Sequence, residues 1–429
     1  MREDFLHYLW KYQFFAINKL YTTNKESLHI YKIGNHNINS GPDFFNAKIK
    51  IADQLWAGNV EIHVKASDWY AHRHEEDPNY DNVILHVVWQ KNTEIYNKVG
   101  VVIPTLELQN FVTKRVLVQY QKLFSKKQKW INCENFMDSV DLFVLDNWVE
   151  RLYFERLEQK SELISELLIK SANNWEMVLF QLLTKNFGLK VNGSSFLNLA
   201  NSVTFDVVRK EQNKQLNLEA LFFGQAGFLA KDLNDEYYKK LQKEYQYQQV
   251  KYILEPLFNG QFQFFRLRPN NFPTIRLAQL ASLYFRRNNL FSEILEIDSL
   301  DGFYELFDVS ASSFWENHYT FKTNSRKQPK KTTKKFINLL LINTIIPIKF
   351  MYLKHIGKLK EEDIVRLMKQ IPSEKNNIIT RFEIIFKNQK NFKIQNAFKS
   401  QALLQLKTAY CDNQNCLQCA IGNFYLKNE

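Results

Sequence analysis

The strongest constraint on the fold is a change of hydrophobic period near residue 110. From Leu28 to Leu108 the chain consists of short alternating runs: LHIYKI, AKIKIA, NVEIHVK, NVILHVVW and VVIPTLEL. Apolar residues at every second position suit strands with one buried face. Beyond Phe111, segments such as VLDNWVERLYFERLEQKSELISELL and TIRLAQLASLYFRR place apolar residues at i, i+3 and i+4, the helical pattern. In front of the strands, EDFLHYLWKYQFF reads as a helix with an aromatic face. SDWYAHRHEEDPNYD, between the third and fourth runs, reads as a short helix and turn. A chain of 429 residues exceeds one ordinary core. The expected class is α+β/α/β, with an α/β core over residues 1–125 and a large, mostly helical region over 126–429. Only 12 glycines and 9 prolines agree with long helices, and no fixed-period repeat is present.

Net charge is +12 and is concentrated. Residues 317–360 contain no Asp or Glu and eleven Lys or Arg, among them Arg326, Lys327, Lys330, Lys331, Lys334 and Lys335. Such a block points to a polyanion, nucleic acid above all, with DNA and RNA undecided. Part of it, TNSRKQPKKTTKK (323–335), reads as a mobile loop. Arg268 and Arg276 flank Pro273 at the start of a helix and are further candidates for phosphate contact. Hydrophobic content of 45% excludes a disordered protein. The N-terminus MREDFLHYLW has no signal-peptide core. The run FINLLLINTIIPIKFMYL is broken by Asn338, Asn343, Pro347 and Lys349, so it reads as a buried helix pair and not as a membrane span. A soluble, cytoplasmic protein is expected.

The candidate chemistry lies in NSGPDFFNAKIKIADQLWAGNVEIHVKASDW. Strand geometry puts Glu61, His63 and Lys65 on one face and Val60, Ile62 and Val64 on the other. A hairpin turning around Ala52–Gln54 brings Asp43 toward Glu61. Two carboxylates there suit Mg²⁺ or Mn²⁺, with Lys65 or His63 serving the attacking water or the transition state. His72, His74 and His86 lie nearby in sequence and could bind a transition metal, although His72 and His74 lack the i, i+4 spacing of a helical zinc pair. A hydrogen-bonded turn capped at Asp77-Pro78 is the plainer reading.

GPDF followed by VEIHVK on a helix-first order resembles the PD-(D/E)XK nuclease superfamily. The resemblance implies a restriction-endonuclease-like core and metal-dependent phosphodiester hydrolysis by Asp43, Glu61, His63 and Lys65, with Glu3 as an auxiliary acid. His63 departs from the pattern, which puts an acid there. The chain as a whole also resembles an uncharacterised bacterial family through EDFLHYLW, GPDFFNA, WAGNVEIHVKASDW, DPNYDNVILHVVW, NFPTIRLAQLA, INTIIP and the cysteine tail; this implies membership and no mechanism.

The four cysteines are Cys133 and the tail set Cys411-x4-Cys416-x2-Cys419. Their concentration in a cytosolic chain points to a metal, either Zn²⁺ or a 4Fe–4S cluster. One cysteine after the core and three at the far end also resemble the iron–sulfur staple of RecB-like nucleases. The sequence therefore supports a metal-dependent nuclease or, alternatively, a non-catalytic nucleic-acid-binding or scaffold protein on a decayed nuclease fold. A different metalloenzyme built on His63, His72, His74 and His86 is a third reading.

Overall fold

The computed structural model describes residues 1–125, 129–389 and 391–428. It divides into two compact units. The first comprises Met1–Trp148, Ile384–Phe392 and Leu406–Glu429; the second comprises Val149–Glu383 and Lys393–Gln405. The divide expected at 125–126 touches residues 126–128, which lie outside the described ones. The compact units part after Trp148, and the C-terminal residues group with the first.

The first unit opens with helix α1 (Glu3–Tyr12). Phe5, Leu6 and Leu9 recur at helical spacing and are wholly buried. Gln13, at a left-handed φ of 53°, ends the helix. Seven strands follow: β1 (Leu20–Tyr21), β2 (Ser27–Lys32), β3 (Asn35–His36), β4 (Phe44–Ile51), β5 (Gln54–Lys65), β6 (Val83–Gln90) and β7 (Thr105–Glu107). They form one mixed sheet in the order β1-β2-β4-β5-β6-β7, with β3 continuing along β4. β4 and β5 are a hairpin that turns at Ala52–Asp53, where Ile51 pairs with Gln54.

β5 and β6 are parallel, so the chain must cross between them. That crossover carries α2 (Asp68–Ala71) and a one-turn 3-10 helix at Pro78–Tyr80, capped by the Asp77 carboxylate on the Asn79 N–H. Trp69, Tyr80, Val83 and Val88 pin it down in a common apolar cluster with Ala66, Ile95 and Ile103. Helix α3 (Lys114–Leu123) follows, and Tyr120 stacks on Phe5 at 3.9 Å.

The second unit is helical. Helix α4 (Leu142–Lys170) enters it from the first. The apolar run expected as a helix pair is one helix, Lys334–His355. A π-helical turn at Leu341–Ile345 precedes Pro347, whose missing N–H and ring disrupt the normal ladder. Loosened carbonyl groups are satisfied from the side: Lys160 Nζ donates to Ile342 O at 3.0 Å. By length and composition this helix is apolar enough to cross a membrane, yet Leu340, Leu341, Ile345 and Ile348 are buried inside the unit. Residues 323–335 are held by hydrogen bonds and by a bridge between Ser310 and Lys331.

Gly58, on β5, lies against β6. A Cβ there would stand 2.5 Å from Ile84 Cγ2 and 2.7 Å from Asn82 O. Gly58→Ala is therefore expected to lower unfolding stability by about 1–3 kcal/mol, read as a shift of the denaturant midpoint.

Candidate metal centre

Register brings the two sequence-predicted carboxylates together. Phe44 pairs with Val60, so Asp43, just before β4, arrives beside Glu61. The Asp43 main-chain N–H donates to Glu61 Oε2 at 3.1 Å, and the Ile62 N–H donates to Asp43 Oδ2 at 2.9 Å. His7 of α1 brings its Nε2 to 3.2 Å from the same Asp43 oxygen. Glu3, one turn earlier, is close enough that His7 and Asp43 both act on its carboxyl, which burial raises above the usual range.

The histidines complete the site. His63 and Glu61 are both buried and share the β5 face; in parallel register Glu61 lies beside His86 and His63 beside Val88. From the crossover, His72 and His74 turn back onto this face. Arg73 between them takes a left-handed φ of 58°, which bends the chain at that point. His74 is stacked on Tyr80 at 3.8 Å and edges against Trp69. The ligand atoms of His63, His72 and His74 all lie within 4.8 Å of one another. His63 Nε2 is 3.1 Å from His72 Nδ1, and Glu61 Oε1 is 3.5 Å from His63 Nε2 and 3.3 Å from His74 Nε2. On its other side, His63 Nδ1 meets His86 Nε2 at 2.8 Å.

Electrostatics follow from burial. Desolvation, then the charge of Asp43, pushes the Glu61 carboxyl up to about 9. Desolvation, then His74 and His72, pulls His63 down to about 3. His86 is also held well below its ordinary value by burial and by His63. At neutral pH these imidazoles are uncharged and so present lone pairs. If His63 Nε2 gives its lone pair to an ion, Nδ1 must carry the proton and donate to His86, the usual way a second residue orients a ligating imidazole. For His7, burial works downward but the hydrogen bond and charge of Asp43 outweigh it, and its value is raised.

The model for the family described as "Protein of unknown function (DUF2851)" matches residues 3–377. The chain belongs to this family. No curated protein and no solved structure matches it.

In this DUF2851 protein, Asp43, Glu61 and His63 converge, and Lys65 does not join them. Lys65 is exposed at the end of β5, where its main-chain N–H donates to Asp68 Oδ2 at 3.0 Å. No described contact links its ammonium group to Asp43 or Glu61. Sequence reasoning missed His7. Of the histidines grouped in the third reading, His63, His72 and His74 come together, with His74 on Glu61; it is the fold of the crossover and not their spacing that aims them.

The four DUF2851 cysteines line one small cavity with Leu123, Asn132, Tyr410 and Gly422. Asn132 Nδ2 donates to Cys416 Sγ at 3.4 Å. Gly422 is required there, since a Cβ would meet Cys416 O at 2.1 Å. Of the basic candidates, Arg268, Arg326, Lys327, Lys331, Lys334 and Lys335 are exposed. Lys330 is not available to a surface ligand: it is buried, with Nζ donating to Glu316 O and Ser325 Oγ, and it serves the fold of its loop. Arg276 is also buried and lines a cavity.

The Glu61 shift fixes a sign. Its carboxyl titrates near 4.5 when unfolded and near 9 when folded. The folded metal-free protein thus keeps this stabilisation below pH 4.5 and loses it progressively as pH rises toward 9. With chelator present, Glu61→Gln is expected to melt higher than the parent protein at about pH 8, with the difference shrinking toward acid pH. Equal melting curves across this range would refute the assignment of a strained, buried Glu61.

Proposed function

We propose that this DUF2851 protein is a metal-dependent phosphodiester hydrolase, a nuclease, with its ion held by His63, His72 and His74 and with Glu61 beside the open fourth position. One observation carries the reading: the ligand atoms of the three histidines lie within 4.8 Å of one another, with His63 Nε2 3.1 Å from His72 Nδ1 and Glu61 Oε1 3.3 Å from His74 Nε2. A tetrahedral site with bonds of about 2.0–2.1 Å has edges of about 3.3–3.4 Å. Three imidazoles that leave a fourth position open suit Zn²⁺ better than Mg²⁺, which prefers oxygen ligands. When bound, the ion supplies Lewis acidity and a more acidic water. Asp43, fixed through Oδ2 by the Ile62 N–H beside Glu61, would orient the attacking water and take its proton. His7, its proton affinity raised beside Asp43, is positioned to protonate the leaving oxygen.

Nucleic acid as substrate is supported by the acid-free block, whose Arg326, Lys327, Lys331, Lys334 and Lys335 are exposed. The order of α1, the β2-β4-β5 meander, the α2 crossover and parallel β6 agrees with the nuclease resemblance. The exposed Lys65 favours the second reading, a binding scaffold on a decayed nuclease fold, because the lysine of the nuclease pattern is missing from the site.

For the cysteines we propose a 4Fe–4S cluster. Burial raises all four thiols; the Asn132 side-chain N–H on Cys416 and the Ile421 and Gly422 main-chain N–H groups at Cys419 act the other way and favour thiolates. All four line one cavity, and the resemblance to the staple of RecB-like nucleases favours a cluster over zinc.

Two measurements test these readings. Protein reloaded with Zn²⁺ or Mn²⁺ is expected to cut single- or double-stranded oligonucleotides. His72→Ala and His74→Ala should abolish cutting and metal uptake, and Glu61→Gln and His7→Gln should each slow cutting about 100-fold with metal content retained. Cleavage at the parent rate by His74→Ala would sink the proposal. Separately, anaerobically purified protein is expected to be brown and to contain iron, and Cys411→Ser should remove the colour. Iron-free, colourless protein that carries zinc at the cysteines would replace the cluster by a zinc site.

A further inference from the structure

The second unit contains a cavity of about 270 Å³ whose lining is cationic. Arg268, Arg276, Lys331 and Lys335 all border it, and among the described residues no carboxylate does. Lys331 is partly neutralised by Asp308 at 3.3 Å, on the exposed side. Arg276 is the unusual member. It is only 6% exposed, and its hydrogen-bond partners are neutral amides: Nη1 donates to Gln279 Oε1 at 2.9 Å and Nη2 to Asn271 Oδ1 at 2.6 Å. Its Nε is buried without a protein partner. The guanidinium lies over the Phe336 ring, 3.6 Å from the centroid.

A buried cation without a countercharge costs several kcal/mol. An arginine remains protonated under such conditions, so it keeps that cost. Its setting is rigid: Gln279 Nε2 donates in turn to Lys330 O at 2.8 Å, and Asn271 closes the 3-10 turn after Arg268. A planar donor fork is thus preorganised beside three exposed cations, an arrangement that fits the doubly charged oxygens of a phosphate better than one diester charge. The volume is just under the roughly 300 Å³ at which small-molecule pockets begin, enough for a phosphate and part of what bears it.

We propose that this cavity binds a terminal phosphomonoester, either the end of a nucleic-acid strand or a free nucleotide. Arg276 is the fixed anchor, and Arg268 and Lys335 close on the outer oxygens. The proposal rests on the nuclease reading only for nucleic acid as the source of the phosphate; the cavity itself is independent of the metal centre.

Binding is measured with Asp43→Ala protein in chelator, so cleavage plays no part and failure of the nuclease reading leaves the result unaffected. A short 5′-phosphorylated oligonucleotide is expected to bind about tenfold more tightly than its 5′-hydroxyl twin. Inorganic phosphate should raise the melting temperature more than chloride at equal ionic strength. Arg276→Gln should remove both preferences, and the exposed pair Arg268→Gln/Lys335→Gln, which leaves the buried packing intact, should do the same. A mononucleotide that binds as tightly as the phosphorylated oligonucleotide would identify a free nucleotide as the source; tighter oligonucleotide binding would identify a strand end. Equal affinity for the phosphorylated and hydroxyl oligonucleotides, with phosphate no better than chloride, would overturn the proposal.

Discussion

The reciprocal main-chain clasp between Asp43 and Glu61 is the interaction on which the first unit's chemistry depends. Each carboxylate accepts an N–H from the other's strand, Asp43 N–H to Glu61 and Ile62 N–H to Asp43. These bonds lock the register at the open end of the hairpin. A one-residue slip would send Glu61 and His63 to the opposite face and put Val60 and Ile62 in the site. Burial first, and then the Asp43 charge that the clasp holds close, outweigh the clasp's own hydrogen bond and make the Glu61 carboxyl resist ionisation in the absence of an ion. Strain of this kind is common where a ligand supplies the missing charge.

Much of this was legible in the residues. Alternation in NVEIHVK fixed which side chains share a face, and the short span between the two runs required a hairpin. Asp43 and Glu61 met as that geometry demands. Lys65 lies on the same face by parity but at the strand's end, where the sheet no longer buries its neighbours; parity does not report depth. His72 and His74 escaped the spacing rules because those rules describe regular helices, whereas a left-handed Arg73 and an aromatic cluster around Trp69 and Tyr80 aim these two rings. Polar residues and Pro347 break the run FINLLLINTIIPIKFMYL in sequence, yet the helix Lys334–His355 continues through them, because a widened turn and the half-buried Lys160 satisfy the loosened carbonyls. Charge counting found the basic block but could not separate Lys330, which is consumed by its own loop, from its exposed neighbours.

The two sites divide their tasks by chemistry. The first unit gathers neutral nitrogens around a carboxylate, a set that recognises a cation. The second unit gathers guanidinium and ammonium groups around a cavity without acids, a set that recognises an anion. Membership of DUF2851 covers both sets of residues, while the three C-terminal cysteines lie beyond the matched span.

The first unit is discontinuous in sequence, and this bears on how the protein is made. Its sheet is complete by residue 107, yet the Leu406–Glu429 segment that packs with α1 and α3 is translated only after the whole helical unit. On the ribosome the sheet must wait, partly uncovered, while more than half the polypeptide emerges. Domains generally fold as they are synthesised, so here the inserted unit can finish before the one that began first. The cysteine cavity spans that gap, with Cys133 made early and its three partners last. The four sulfurs can therefore meet only after residue 419 has been made, so whatever that cavity holds can enter it only late in synthesis.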